Sequence, residues 1–210
     1  WTRDSEQVIF RASRGDGAFP SVATLYQIAA KGGQEQSLNL DWGYWGSYSP
    51  DGKSLVFNRH PATWSRRHYR GSYAADLWIA DYDGTPLVRL THTPNRDESP
   101  GQWAPHGNWI VFESGPWYGD CDVQITRPDG TGKRVVAGGD ANDHSPTWSP
   151  DGEWIAFDSN RRTGKDRDLY VLDPKDPATS RMLMEVSGSW FVSAWSPDER
   201  SIIARQAAWV

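Results

Sequence analysis

Residues 59–75 contain the densest group of side chains suited to binding an anionic ligand. The segment carries four arginines, two histidines and three aromatic residues in a chain whose formal net charge is −5. Guanidinium groups hold carboxylates through paired hydrogen bonds, and aromatic rings add flat apolar contacts. The sequence therefore predicts a ligand-binding loop that uses Arg59, His60, Trp64, Arg66, Arg67, His68, Tyr69 and Arg70. The alternative is a solvated loop that packs on its neighbour.

No residue pattern in the sequence marks a catalytic centre. Residues 186–190 read Val-Ser-Gly-Ser-Trp and lack the last glycine of a nucleophile elbow, and no His-Glu-x-x-His motif is present. The single cysteine, Cys121, excludes an internal disulfide and a multi-cysteine metal site. Aspartate pairs such as Asp120 with Asp122, or Asp140 with Asp143, fit turn stabilisation better than a calcium site. We therefore predict no catalytic residue, no metal site and no cofactor.

An internal repeat organises the whole chain. Its clearest copy begins at Trp148 and reads Trp-Ser-Pro-Asp-Gly-Glu-Trp-Ile-Ala-Phe-Asp-Ser, a tight turn followed by an alternating apolar strand. Related openings start at positions 1, 48, 103 and 195, at intervals of 47, 55, 45 and 47 residues. Segment 59–75 accounts for the longest interval. Because inserted residues in repeat proteins gather on one face, often the binding face, this segment is the favoured site.

Repeats of this length with about four short strands are typical of β-propeller blades. We predict an all-β propeller of four-stranded antiparallel blades, with four complete repeats and a partial fifth, from a five- or six-bladed ring. The chain then forms a single propeller, residues 1–210, with blade repeats at approximately 1–47, 48–102, 103–147, 148–194 and 195–210. The incomplete last repeat leaves three options open. Further residues of a longer protein complete the ring, two chains associate through the unpaired edge, or the final strands close onto the start of the chain.

The recurring tryptophans and aspartates fit scaffold roles. We expect the first strand of each blade to end at the repeat aromatic, and the rings of Trp1, Trp103, Trp148 and Trp195 to fill the space between neighbouring blades. Asp76, Asp122 and Asp168 each stand directly before the second strand of a repeat. A short carboxylate at a strand entry usually accepts backbone N–H bonds, so we expect these aspartates to fix turns.

The repeat resembles those of TolB-like, or WD-like, β-propellers. The resemblance rests on Trp148-Ser-Pro-Asp-Gly-x-x-Ile-Ala-Phe, the Asp168-Leu-Tyr-Val strand and later Arg-Leu-Thr segments, and it covers nearly the whole chain. Tyr69-Arg70-Gly71 before Asp76-Leu-Trp-Ile resembles the N-terminal propeller of tricorn-type proteases, and residues 189–198 resemble prolyl-oligopeptidase-family propellers. The resemblance implies a propeller that filters or docks peptides while a separate domain cuts them.

Two functions remain open on the sequence. The first is a non-catalytic propeller that binds or gates peptides, or docks a protein partner, for a tricorn-like or oligopeptidase-like protease. The second is a carbohydrate-binding or polysaccharide-acting propeller, because aromatic residues outside the repeat positions can stack on sugar faces. Further aromatic contacts are expected from Trp45, Trp117 and Tyr118. The dispersed charge and the lack of a long apolar run argue against nucleic-acid partners and membrane insertion. The compartment cannot be read from the sequence.

Overall fold

The described part of the chain forms five consecutive antiparallel β-sheets. The computed structural model describes residues 2, 4–13, 23–41, 43–59, 75–81, 86–93, 96–116 and 120–207. Within these ranges the chain forms strands, turns and irregular segments. No helix in the described residues is long and apolar enough to cross a membrane. The predicted all-β propeller architecture of antiparallel blades is confirmed.

Each sheet is built from strands that follow one another in the sequence. The first sheet contains β1 (Gln7–Ser13), β2 (Ala23–Ala29) and β3 (Gln36–Asp41), and the second contains β4 (Gly43–Tyr48), β5 (Ser54–Arg59), β6 (Asp76–Asp81) and β7 (Leu87–Arg89). The third contains β8 (Asp97–Glu98), β9 (Gln102–Trp103), β10 (Ile110–Gly115), β11 (Asp122–Thr126) and β12 (Arg134–Ala137). The fourth contains β13 (Asp143–Trp148), β14 (Ile155–Ser159), β15 (Asp168–Asp173) and β16 (Asp176–Met184), and the fifth contains β17 (Trp190–Trp195) and β18 (Ile202–Gln206).

The first strands of four sheets end where the repeat predicts. The strands β4, β9, β13 and β17 end at the repeat aromatics Tyr48, Trp103, Trp148 and Trp195. Two details differ from the regular pattern. The first sheet has three described strands instead of four, and in the third sheet the first-strand position is divided between β8 and β9, which both pair with β10.

The Ser-Pro-Asp-Gly turn is stabilised by local hydrogen bonds. In the fourth sheet the Ser149 N–H donates to the Trp154 carbonyl at 2.9 Å, and the Gly152 N–H donates to the Ser149 carbonyl at 2.9 Å. The Ser149 hydroxyl accepts from the Trp154 N–H at 2.9 Å, and Asp151 accepts from the Glu153 N–H at 3.0 Å. Gly152 has a φ of +72°, which glycine adopts without the steric cost of a side chain. These four residue types therefore specify the turn.

The apolar core lies between the sheets. The second strand of each of the three central sheets contributes a completely buried phenylalanine, namely Phe57, Phe112 and Phe157. Trp103 packs with Val56 of the preceding sheet, and Trp148 packs with Val111 of the sheet before its own. The indole N–H of Trp148 also donates to the Gln102 carbonyl at 3.2 Å. These two rings therefore fill the space between neighbouring sheets, as the sequence predicts.

The recurring aspartates also hold the strand ends together, but with partners that the repeat did not reveal. Asp168 accepts the Val186 N–H at 2.9 Å, which is the expected backbone contact. It also forms an ion pair with Arg162 at 2.7 Å. Asp76 and Asp122 pair in the same way with Arg89 and Arg96. The scaffold role is thus a set of buried or half-buried ion pairs in addition to backbone hydrogen bonds.

Candidate functional site

Two of the residues predicted to bind a ligand lie in the part of the chain that the structure describes, namely Arg59 and Trp45. Arg59 is the last residue of β5, and its guanidinium carbon lies 5.0 Å from the centre of the Trp78 ring of the neighbouring strand. It is therefore held against its own sheet at the start of the predicted loop. The remaining predicted residues fall outside the described ranges: His60, Trp64, Arg66, Arg67, His68, Tyr69, Arg70, Trp117 and Tyr118.

A cavity of about 600 Å³ lies where the first strands of the sheets converge. All five sheets contribute to its wall. They supply Arg11 from β1, Trp45 from β4, Gln102 from β9, Ser145 from β13 and Ser193 from β17. The strands β4, β13 and β17 each pair with a single neighbour among the described strands. Backbone groups on their other sides are therefore not used by a sheet partner, and the wall offers polar main chain as well as side chains.

β-bulges occur two or three residues before the repeat aromatic in three of these first strands. The pairing of β4 with β5 shifts between Tyr44 and Gly46, so that Trp45 is the extra residue. The pairing of β13 with β14 shifts between His144 and Thr147, and that of β17 with β18 shifts between Val192 and Ala194. A bulge bends its strand and redirects side chains, and bulges are frequent next to binding and active sites. Here they bring the bulge residues Trp45, Ser145 and Ser193 to the cavity.

Trp45 has an uncommon backbone conformation and a largely uncovered ring. Its φ is +41°, a region in which bulky L-residues are rare because the side chain crowds the backbone. The side chain remains 53% exposed although tryptophan is a large apolar residue. Ser145 occupies the equivalent place in β13 with a φ of +52°. An exposed ring held in a strained conformation at a cavity fits a ligand contact better than a packing role.

Arg11 lies beside Trp45 and faces the same cavity. Its guanidinium carbon lies 4.6 Å from the centre of the Tyr44 ring and 5.7 Å from the centre of the Trp45 ring. Arg11 is exposed, and none of the ion pairs between described residues involves it. The aromatic faces orient the guanidinium through cation–π attraction and leave its N–H groups available. This corner of the cavity is therefore suited to a carboxylate that is attached to a flat or apolar group.

A second group of reactive side chains lies where the third sheet meets the fourth. Glu113 of β10, Cys121 directly before β11 and His144 of β13 place one ligand-type atom each within 4.8 Å of the others. His144 Nδ1 lies 2.8 Å from Glu113 Oε2, and the Ser145 N–H donates to Glu113 Oε1 at 2.8 Å. Burial lowers the pKa of His144, but its bonds to Cys121 and Glu113 outweigh that effect and raise the pKa to about 10. The imidazole is thus positioned between a carboxylate and a thiol.

Sequence reasoning missed this cluster because its members are isolated in the chain. The available signal was the repeat register, in which Glu113 directly follows a strand phenylalanine, as Arg11, Asn58 and Asp158 do. Residues at this position reach the next sheet in two further cases. Arg11 contacts Tyr44 and Trp45, and the Asn58 amide donates to the Glu98 carbonyl at 2.8 Å. The side chains that differ at this position therefore determine the chemistry of each junction.

Comparison of the sequence with known proteins gives a match over about half of the chain. No protein-family model matches the sequence. The chain is 29% identical over 112 residues to an uncharacterized protein of Agrobacterium fabrum, a match that covers 52% of this chain and 33% of the relative. The aligned segment thus corresponds to about one third of the length of that curated relative.

Solved structures show the same architecture over nearly the whole chain. A TolB protein from Agrobacterium tumefaciens superposes with a TM-score of 0.74 at 21% identity, covering 98% of this chain and 72% of that protein. TolB from Acinetobacter baumannii gives 0.69 at 18% identity, covering 97% and 52%. The fold is that of a TolB-like β-propeller. This confirms the resemblance that the repeat indicates, and at these identities the likeness concerns the fold alone.

Proteins with different activities share this fold. An oligogalacturonate lyase in complex with manganese has a TM-score of 0.62 at 16% identity, covering 99% of this chain and 69% of the lyase. The β-propeller domain of the Trilobed protease from Pyrococcus furiosus has a TM-score of 0.58 at 14% identity, covering 90% and 56%. The chain is therefore a propeller module, and its function has to be argued from its own residues.

Proposed function

We propose that the chain is a non-catalytic propeller module that binds extended peptides in its cavity, either free peptides or a segment of a protein partner. The proposed context is a tricorn-like or oligopeptidase-like protease, in which the propeller gates or docks the substrate. The observation that carries the proposal is the corner formed by Trp45 and Arg11 at the cavity wall. A terminal carboxylate can bind the Arg11 guanidinium while a neighbouring side chain packs on the Trp45 ring.

The strand edges supply the second part of the argument. Extended peptides are commonly recognised by main-chain hydrogen bonds to an exposed strand edge, with pockets selecting alternate side chains. Among the described strands, β4, β13 and β17 of the cavity wall each have a sheet partner on one side only. Their bulges interrupt a continuous edge, so we expect short recognised segments of a few residues. We also propose that the predicted loop at 59–75 reaches the same ligand and adds further arginines to the site.

The test is a calorimetric titration of the chain with short peptides that have a free C-terminus, and with the same peptides as C-terminal amides. We expect saturable binding of the free-acid peptides and at least tenfold weaker binding of the amides. The substitution Arg11→Gln removes the cation, and Trp45→Gly removes the ring while suiting the positive φ. Both variants should lose most of the affinity for the free-acid peptides.

A matched control uses another arginine that contacts an aromatic ring. The guanidinium carbon of Arg127 lies 5.3 Å from the centre of the Trp109 ring, and neither residue lines the cavity. The substitution Arg127→Gln should therefore leave peptide affinity unchanged. A double variant, Arg67→Ala with Arg70→Ala, reports on the predicted loop. Binding that is indifferent to the C-terminal carboxylate and to both cavity variants would contradict the proposed site.

A second candidate function is recognition of an acidic oligosaccharide. It is favoured by the tilted aromatic pair in the same corner, in which the rings of Tyr44 and Trp45 have their centres 5.8 Å apart. A sugar ring can stack on the exposed indole while Arg11 binds a uronate carboxylate. Titration with oligogalacturonates in parallel with the peptides separates the two candidates. Binding of the saccharide with no response to peptides would select this second function.

A further inference from the structure

The cluster of Glu113, Cys121 and His144 brings together three different metal-binding donors. The thiol, an imidazole nitrogen and a carboxylate oxygen all lie within 4.8 Å of one another. All three side chains are partly buried, so they are accessible from solvent yet held by the surrounding structure. In a tetrahedral zinc site the ligand atoms are roughly 3.3 to 3.8 Å apart, because the metal–ligand bonds are about 2.0 to 2.3 Å. Small side-chain movements bring this cluster into that range.

Hydrogen bonds of the backbone N–H groups hold the three segments in place relative to one another. The Asp143 N–H donates to the Cys121 carbonyl at 2.9 Å, and this contact joins the two segments that carry Cys121 and His144. The Cys121 N–H donates to Asn142 Oδ1 at 3.0 Å. Glu113 is oriented by the Ser145 N–H, which donates to its Oε1 atom. The geometry is therefore set by the junction of two sheets.

Gly115 leaves the space that the thiol occupies. A Cβ atom at this position would lie 2.4 Å from Cys121 Sγ and 2.8 Å from its Cα atom, closer than non-bonded atoms can approach. Any other residue at 115 would displace Cys121 from the cluster. The close approach of the two segments at this end of β10 thus depends on a glycine that pairs with Asp97 of β8.

We propose that Glu113, Cys121 and His144 form a site for a divalent cation of the zinc class. Thiolate and imidazole ligands favour zinc over magnesium and calcium, which prefer sites built entirely from oxygen. Three protein ligands leave one coordination position for water or for a group of a bound ligand. Because His144 precedes Ser145, which lines the cavity, the ion lies beside the cavity wall. Because thiolate and neutral imidazole are the forms that bind a metal, affinity should fall as the pH is lowered.

The first experiment titrates chelator-treated protein with Co²⁺ and follows the absorption band that a thiolate–cobalt bond produces. We expect one ion per chain, a charge-transfer band that is absent from Cys121→Ser, and release of cobalt by an equivalent of Zn²⁺. The variants His144→Gln and Glu113→Gln should weaken cobalt binding by at least tenfold. The exposed histidine His92 is the matched control, since His92→Gln should bind cobalt as the unmodified chain does. Thermal unfolding without metal checks that each variant is folded.

The second experiment uses the fact that Cys121 is the single cysteine of the chain. Its reaction with a chromogenic disulfide reports on this site alone. We expect Zn²⁺ to slow the reaction at least tenfold and a chelator to restore the rate, while Mg²⁺ has no effect. An unchanged rate with Zn²⁺, or a cobalt spectrum without a thiolate band, would overturn the proposal and leave a thiol–imidazole pair without a metal. Because no peptide takes part, failure here is independent of failure of the proposed function.

Discussion

Arg11 and Glu113 occupy the same position of the repeat in two different sheets. Each directly follows a strand phenylalanine, Phe10 or Phe112, and each reaches the first strand of the next sheet. Among the described residues, Arg11 contacts the aromatic faces of Tyr44 and Trp45 and remains exposed. Glu113 accepts two hydrogen bonds, from His144 and from Ser145. The repeat position thus sets which part of the next sheet the side chain reaches. The residue type determines whether that side chain stays exposed for a ligand or forms hydrogen bonds within the protein.

The largest expected difference concerns the two phenylalanines. Phe112 is completely buried, whereas Phe10 is only partly covered. We expect Phe112→Ala to lower the free energy of unfolding by about 3 to 5 kcal/mol, since it leaves a cavity between sheets. Phe10→Ala should cost less than half as much. Urea denaturation of both variants measures the difference, and equal losses would mean that the two junctions are packed alike.

The junction between the second and third sheets provides a pH-dependent test. Burial and the charge of Asp76 raise the pKa of Glu98 from 4.5 to about 8. Protonation is favoured in the folded state, so its stabilising effect is complete below pH 4.5 and is lost as the pH rises to about 8. We expect Glu98→Gln to be more stable than the unmodified chain at pH 9. Between pH 4 and pH 9, the difference in the free energy of unfolding between variant and unmodified chain should shift in favour of the variant by an amount on the order of a few kcal/mol. Urea midpoints at both pH values measure this.

A difference that does not change with pH would show that Glu98 ionises in the folded chain as it does in water.

Removing the charged side chain should affect the two compared junctions unequally. In chelator-treated protein we expect Glu113→Ala to cost about 1 to 3 kcal/mol, because the Ser145 N–H and His144 lose their acceptor. Arg11→Ala should change the free energy of unfolding by about 0.5 kcal/mol or less, as exposed residues usually do. Glu113→Gln keeps an acceptor for Ser145 and should fall between the two. A large loss for Arg11→Ala would assign the cation a structural role.

The smallest effect is expected at the bulge that carries Trp45. Because its φ is +41°, Trp45→Gly should leave the free energy of unfolding unchanged or raise it by up to about 1 kcal/mol. Ser145→Gly, at the equivalent bulge, is the comparison, and it should behave similarly. Thermal unfolding of both variants measures this. A clear loss of stability confined to Trp45→Gly would show that the exposed ring packs in the fold instead of serving a ligand.

Much of the fold could be predicted because its signals are local. The turn at Ser149 uses hydrogen bonds that join residues at most five positions apart, so the sequence contains all of its partners. Strand alternation and the burial of Trp148 follow from the same short pattern. The residues of the candidate site were predicted less completely from the sequence. Trp45 was predicted as an aromatic contact, and its partner Arg11 was not, because 34 positions separate them and only sheet packing brings them together.

The sequence by itself determined the repeat, its turns, the strands after them and the rings between the sheets. Each of these depends on contacts within one repeat or on a large apolar residue that has to be buried. Only the tertiary structure decided that Glu113 meets His144 and Cys121, and that Arg11 lies on Tyr44 and Trp45. The physical reason is that these contacts form between neighbouring sheets. Their partners are set by how bulged strands pack across a junction, which no local pattern specifies.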